Sequence, residues 1–161
     1  MAEPFDVARD HRFAATRWFE DFALGERFWI PSRTQTDALF AAFQLASGDN
    51  DPIHYDAEYC RRRGHPDMLA HGMQVMIQTA AGAGVFPALV ADSLVAMLEC
   101  SAKFVGPVYR GDTLYPLLEI TELVPQRTTG VVKMRATVHN QKNELVLEGE
   151  HRYLVRRRPG V

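Results

Sequence analysis

Apolar residues along this chain follow two different periods. Leu39, Phe40, Phe43 and Ala46 recur at helical spacing, with Thr36 as a candidate N-cap and Gly48 as a C-terminal stop. From His71 no charged residue occurs until Asp92, and Met73, Val75, Met76, Ile77, Ala80, Ala81, Ala83, Val85 and Phe86 spread round the whole helical wheel. Such a segment is enclosed by protein or lies in a membrane. Gln74 and Gln78 would face lipid, and Gly82, Gly84 and Pro87 fall near its middle, so a buried central helix is expected.

From Leu94 onward the period is two. Leu94, Ala96, Leu98, Cys100, Ala102 and Phe104 predict one face of a strand, with Glu99, Ser101 and Lys103 on the other. Further strands are predicted over 113–124, with Pro116 marking an edge or bulge, around Val132 to Val138, and from Leu145 to Val155. A short first strand is expected over Arg27 to Ile30, and a short helix from Asp56, its N-cap, to Arg63. Long consecutive strands with short turns predict an α+β protein in which an antiparallel meander wraps the apolar helix.

Composition narrows the class. The 161 residues suit a single domain spanning 1–161, with Met1 to Thr16 as a flexible arm. A formal charge of −2 favours neither nucleic acid nor an anionic membrane as partner. Cys60 and Cys100 form no C-x-x-C pair and are expected as free thiols in a reducing compartment. The N-terminus carries acids and lacks an apolar signal core, so a cytoplasmic location is expected.

The candidate chemistry lies between the two helical segments. Ser47 to Asp56 sets Asp49, Asp51, His54 and Asp56 around Pro52, which pushes Asp51 into extended backbone. Asp49 and His54 therefore sit on irregular chain between rigid elements, a common place for reactive groups. A metal suits these residue types, but no H-E-x-x-H spacing occurs, and Ile53, His54 and Cys60 depart from a calcium loop. No metal is expected. Arg61, Arg62 and Arg63 are either a solvated surface or a phosphate-binding run. His65-Pro66-Asp67 occurs also in chaperone J-domains, but there it joins helices, whereas here strands follow.

SGDNDPIHYD, followed after a short helix by AHGM, resembles the signature of the MaoC-like (R)-specific enoyl-CoA hydratases. Phe104, Pro107, Val108, Gly111 and Asp112 match that family's F-x-x-P-V-x-x-G-D strand and turn. The resemblance implies a hotdog fold, a long helix wrapped by a curved antiparallel sheet. It implies hydration of a trans-2-enoyl-CoA to the (R)-3-hydroxyacyl-CoA, or the reverse dehydration. Asp49 is then the main base and His54 its partner in activating water, the carboxylate having a raised pKa through partial burial. The backbone N–H of Gly72 is implied to bind the thioester oxygen. His71 is expected to close the helix start rather than act in the chemistry.

Two departures bear on the acyl group. Asp51 stands where many relatives have Asn, and Ala80, beside Thr79, stands where some have Ser. Asp51, His71, Thr79, Ala80 and the three arginines are therefore secondary candidates for contact with substrate. The resemblance implies no cofactor beyond the coenzyme A thioester substrate, and a homodimer or higher homo-oligomer. A hotdog thioesterase and a non-catalytic acyl-CoA-binding subunit remain the alternatives.

Overall fold

The computed structural model describes residues 3–160. Its strands are β1 (Arg27–Trp29), β2 (Arg33–Thr34), β3 (Leu94–Phe104), β4 (Thr113–Pro125), β5 (Thr129–His139) and β6 (Leu145–Arg156). They form an antiparallel sheet in the order β1-β4-β5-β6-β3, with β2 pairing β4 beyond the end of β1. β4, β5 and β6 follow one another as a meander. β3 does not continue it: the chain crosses from β3 at one margin to β4, and β3 pairs with β6 instead. Pro116 lies opposite the break between β1 and β2, where its carbonyl accepts from Ile30 N and its missing N–H costs no ladder bond.

Alternation sets the faces. Val132, Met134, Ala136 and Val138 of β5 and Leu147, His151, Tyr153 and Val155 of β6 point inward and are buried. Lys133, Arg135, Glu148, Glu150 and Arg152 occupy the other side, where Lys133 pairs with Glu150 at 3.0 Å and Arg152 with Glu99 at 3.1 Å. β3 departs from the expected alternation. Register shifts between Leu94 and Ala96 and between Met97 and Glu99 bring Met97, rather than Ala96 or Leu98, level with inward-facing Tyr153.

The helices are α1 (Val7–Asp10), α2 (Asp37–Ser47), α3 (Ala57–Arg62), α4 (Gly72–Met76) and α5 (Phe86–Leu89). Gly48 ends α2 in the left-handed conformation, φ 70°, and Asp56 caps α3 by accepting from Tyr59 N. Thr36 occupies the α2 N-cap but its side chain makes no capping bond. The N-terminal segment carries α1 and is tied by Arg12 and Thr16 to the carboxylate of Asp92.

The uncharged stretch is not one helix. α4 gives way to 3-10 turns at Ile77–Thr79 and Ala81–Ala83, and Ala80, with ψ 116°, breaks the rod between them. Gly82 and Gly84, which follow, have low helix propensity, and Pro87 is tolerated because it opens α5. Nor is the stretch enclosed all round. Gln74, Val75, Gln78 and Thr79 are buried against the sheet, whereas Met73, Ile77 and Val85 are each more than half exposed. Among the described residues no helix is long and apolar enough to cross a membrane.

Two apolar clusters share the interior. One joins Phe22, Phe28 and Phe86 to Leu118, Ile120, Val132 and Tyr153; the other joins Phe40, Ala70 and Val75 to Leu114, Val138 and Leu147. Between them a buried polar chain crosses from helix to sheet. The Thr79 hydroxyl donates to Met76 O, so its oxygen accepts from His151 Nε2, and His151 Nδ1 accepts from the Tyr153 hydroxyl at 2.9 Å. Burial lowers the His151 pKa and pushes Tyr153 up to about 12, so the imidazole stays neutral and the phenol keeps its proton.

Candidate active site

The loop between α2 and α3 brings Asp49 and His54 to the start of α4, where His71 waits. Asp49 is oriented locally first. Its backbone N–H donates to Ser47 Oγ, and its Oδ1 accepts from Asp51 N at 2.9 Å. Its Oδ2 lies 2.7 Å from His71 Nε2. Pro52 starts a 3-10 turn through His54, and the Asp51 side chain caps that turn by accepting from Ile53 N at 3.0 Å. The turn delivers the His54 ring beside the His71 ring, with centroids 4.9 Å apart. Reactive atoms of Asp49, His54 and His71 all lie within 4.8 Å of one another.

The proton on each imidazole can be assigned from its neighbours. His54 Nδ1 is 2.8 Å from the carbonyl oxygen of Leu69. A carbonyl only accepts, so Nδ1 carries hydrogen, and in the neutral ring the lone pair lies on Nε2. His71 has the opposite polarity. Its Nδ1 accepts from Met73 N at 3.1 Å, capping α4, so the hydrogen lies on Nε2, directed at Asp49. One ring is thus a proton acceptor and the other a donor, side by side.

This polarity bears on metal binding. A cation held by His71 Nε2 needs the lone pair there and the hydrogen on Nδ1, facing the Met73 N–H. The donor set fits a hydrogen-bonded cluster and does not fit a three-ligand metal centre.

Asp49 does not have the raised pKa expected for it. The backbone N–H of Asp51 is the largest influence and lowers it; desolvation opposes this, and the His71 hydrogen bond and the nearby His54 lower it further. A carboxylate with a third of its side chain exposed and two donors in hand is a stable anion, hence a weaker base than an isolated buried one. Asp51 gives Asp49 a backbone N–H, which Asn at this position would give equally, and its own side chain caps the following turn by accepting from Ile53 N.

The secondary candidates divide. Gly72 opens α4, and a Cβ there would meet the ring of Phe104 at 3.1 Å, so β3 already gives a packing reason for the glycine. Thr79 is buried and commits its hydroxyl to Met76 and His151, while Ala80 is the exposed break in the rod. Arg61, Arg62 and Arg63 lie exposed at the end of α3, Arg61 paired to Glu58 and the Arg63 guanidinium stacked 4.6 Å over the Tyr59 ring. Sequence reasoning missed two features. His71 and Asp49 join only through tertiary folding. Tyr55 turns into the second apolar cluster, and its buried hydroxyl has no hydrogen-bond partner among the described residues. A cavity of about 540 Å³ lies elsewhere, on the outer sheet face, lined by Lys103, Lys133, Arg135, Glu148 and Glu150.

The family model for the MaoC like domain matches residues 21–143. The chain belongs to the MaoC-like family. A mitochondrial 3-hydroxyacyl-(acyl-carrier-protein) dehydratase of Arabidopsis thaliana is 30% identical over 112 residues, 68% of this chain and 63% of the plant protein. The chain therefore spans less than two thirds of that relative's length. An (R)-specific enoyl-CoA hydratase of Rhodospirillum rubrum is 27% identical over 142 residues, covering 86% of this chain and 91% of the hydratase. Among solved structures, a monoamine oxidase regulatory protein of Archaeoglobus fulgius superposes with a TM-score of 0.84 at 27% identity, covering 92% of this chain and 99% of its own. A Mycobacterium tuberculosis protein with a double hotdog fold matches with a TM-score of 0.76 at 26% identity, over 91% of this chain and 46% of its own. The MaoC-like chain has the hotdog fold, with its central rod segmented.

Proposed function

We propose that this MaoC-like protein adds water across the double bond of a trans-2-enoyl thioester, giving the (R)-3-hydroxyacyl thioester, or runs the same reaction backwards. The observation that carries this reading is the convergence of Asp49, His54 and His71 within 4.8 Å of one another, with His54 Nδ1 occupied by Leu69 O. A carboxylate oxygen and the remaining imidazole nitrogen can then hold both hydrogens of one water. In hydration the water oxygen bonds to the β-carbon, His54 Nε2 takes one of its protons, and the imidazolium returns that proton to the α-carbon, so that one water is added in all and the ring is neutral again. Asp49 holds the other hydrogen of the water and stabilises the charge that forms on His54. The main-base role is given to the imidazole because Asp49 already accepts one hydrogen bond on each oxygen, whereas His54 is held only through Nδ1.

The negative charge gathering on the thioester oxygen is assigned to the backbone N–H of Gly72. The exposed arginines at the end of α3 are assigned to the phosphates of coenzyme A. The half-exposed Met73 and Ile77 and the apolar side chains of β3, an unpaired edge, are assigned to a second copy of the chain.

Crotonyl-CoA tests the reading. Loss of enoyl absorbance is expected, and Asp49→Asn or His54→Ala should each lower the rate by about 100-fold or more while the melting temperature is kept. Free thiol release without hydration would replace the reading with a thioesterase; neither signal would leave an acyl-thioester-binding subunit.

A further inference from the structure

We infer that His71 is the positioning residue for Asp49: its Nε2–H fixes one carboxylate oxygen while its Nδ1 is held by the backbone of α4. This rests on the hydratase reading for its consequence in catalysis, but not for its geometry.

The ring is restrained on several sides. Met73 N donates to Nδ1 at 3.1 Å, Asp49 Oδ2 stands 2.7 Å from Nε2, and Phe43 and His54 each pack with ring centroids 4.9 Å away. The cap sets the tautomer, and the tautomer makes Nε2 a donor. A helix cap alone does not need this residue. Ser, Asp or Asn would satisfy Met73 N as well, but none is long enough to reach the Asp49 carboxylate too.

Asp49 needs such a restraint. It sits on irregular backbone, and a third of its side chain is exposed. Asp51 N holds Oδ1 and His71 holds Oδ2, one donor on each oxygen. Each oxygen keeps a further lone pair, so the carboxylate is locked yet can still accept from a water. The groups facing it are His71 from α4, His54 and Tyr55 from the 3-10 turn and its end, and the backbone of Asp51. Of these, His71 is the side chain that both reaches an oxygen and is itself anchored to a rigid element. Without it, Asp49 retains the Asp51 bond and can rotate its second oxygen away from the water shared with His54. Misplacement of that order costs up to about 100-fold in rate.

The experiment uses the full chain with His71→Asn and His71→Gln. Asn keeps an oxygen for Met73 N but falls short of Asp49; Gln places an amide donor near the Nε2 position. For His71→Asn the expected result is a melting temperature close to that of the wild type. Its kcat on crotonyl-CoA should fall about 10- to 100-fold, with KM changed less than kcat. His71→Gln should recover part of kcat. Carbon NMR of the Asp49 carboxyl gives a readout without substrate: its titration midpoint should move to higher pH in His71→Asn and partly return in His71→Gln. If the wild type proves inactive on enoyl thioesters, the functional reading fails and the NMR comparison alone decides the positioning role. An Asp49 midpoint unmoved in both variants, or full kcat in His71→Asn, would reduce His71 to a helix cap and overturn the inference.

Discussion

Gly149 carries the sharpest packing constraint in the sheet. On β6 it stands between Ala102 of β3 and Ala136 of β5. A Cβ added at Gly149 would lie 3.0 Å from the carbonyl carbon of Ser101 and 3.1 Å from Cα of Ala102, with the Ser101 oxygen closer still. Carbon atoms pack at about 3.5–4.0 Å and the Ser101 oxygen intrudes furthest, so Gly149→Ala must shift the β3 backbone by about 1 Å or more. The obstacle is main chain inside a ladder, so the cost belongs at or above the upper end of the usual overpacking range of about 1–3 kcal/mol. Removing glycine from the unfolded chain returns about 0.4–1 kcal/mol. The balance is a loss of about 2–4 kcal/mol, or roughly 5–15 °C in melting temperature for a chain of this size. Gly82→Ala is the control, because its new methyl would meet nothing within 4 Å. Calorimetry at one fixed protein concentration should rank Gly149→Ala well below Gly82→Ala. A Gly149→Ala protein melting within about 2 °C of the wild type would refute the argument that β3 is pinned at this point.

Other outcomes follow from buried polar groups. The folded pKa of His151 is lowered by burial, so below the unfolded value of about 6.5 the unfolded chain binds a proton that the folded one resists. Stability should therefore fall as pH drops from about 6.5 toward that lowered value, and melts of His151→Gln between about pH 7 and 5 should show a flatter dependence. An equal slope in both proteins would remove His151 as the cause. Tyr55→Phe deletes a buried hydroxyl that has no partner among the described residues, a group whose desolvation costs about 1–3 kcal/mol. Its melting temperature should rise or stay level, and a clear drop would reveal a hydrogen bond to that oxygen.

Much of this architecture is legible in the sequence because local chemistry decides it. Gly48 had to end α2, Asp56 had to cap α3, and the alternation of Val132 to Val138 marks a strand whatever surrounds it. What depends on distant partners is not legible. The bulges in β3 that exchange Met97 for Ala96 and Leu98 arise from pairing with β6. The crossing from β3 to β4 leaves no trace in either strand. Apolar composition round the wheel marks His71 to Ala91 as a packed segment but not where it breaks, and Ala80 carries no signal of its extended backbone. At the candidate site, the motif points to Asp49 and His54, and the fold brings both together with His71. The direction of the Asp49 pKa does not follow from residue types, because it is set by a neighbouring backbone N–H and by an imidazole contributed from beyond α3.

The margin of the sheet at β3 has two halves. From Leu94 to Glu99 it is bulged, and from Cys100 to Phe104 it runs in regular register. Only the regular half offers the evenly spaced main-chain groups that a further strand can join. That half ends at Phe104, whose ring touches Gly72 at the mouth of the site. On the proposed hydratase reading, a second copy that completes the sheet arrives beside Asp49 and His54, so dilution that separates the copies should silence turnover before it unfolds either of them.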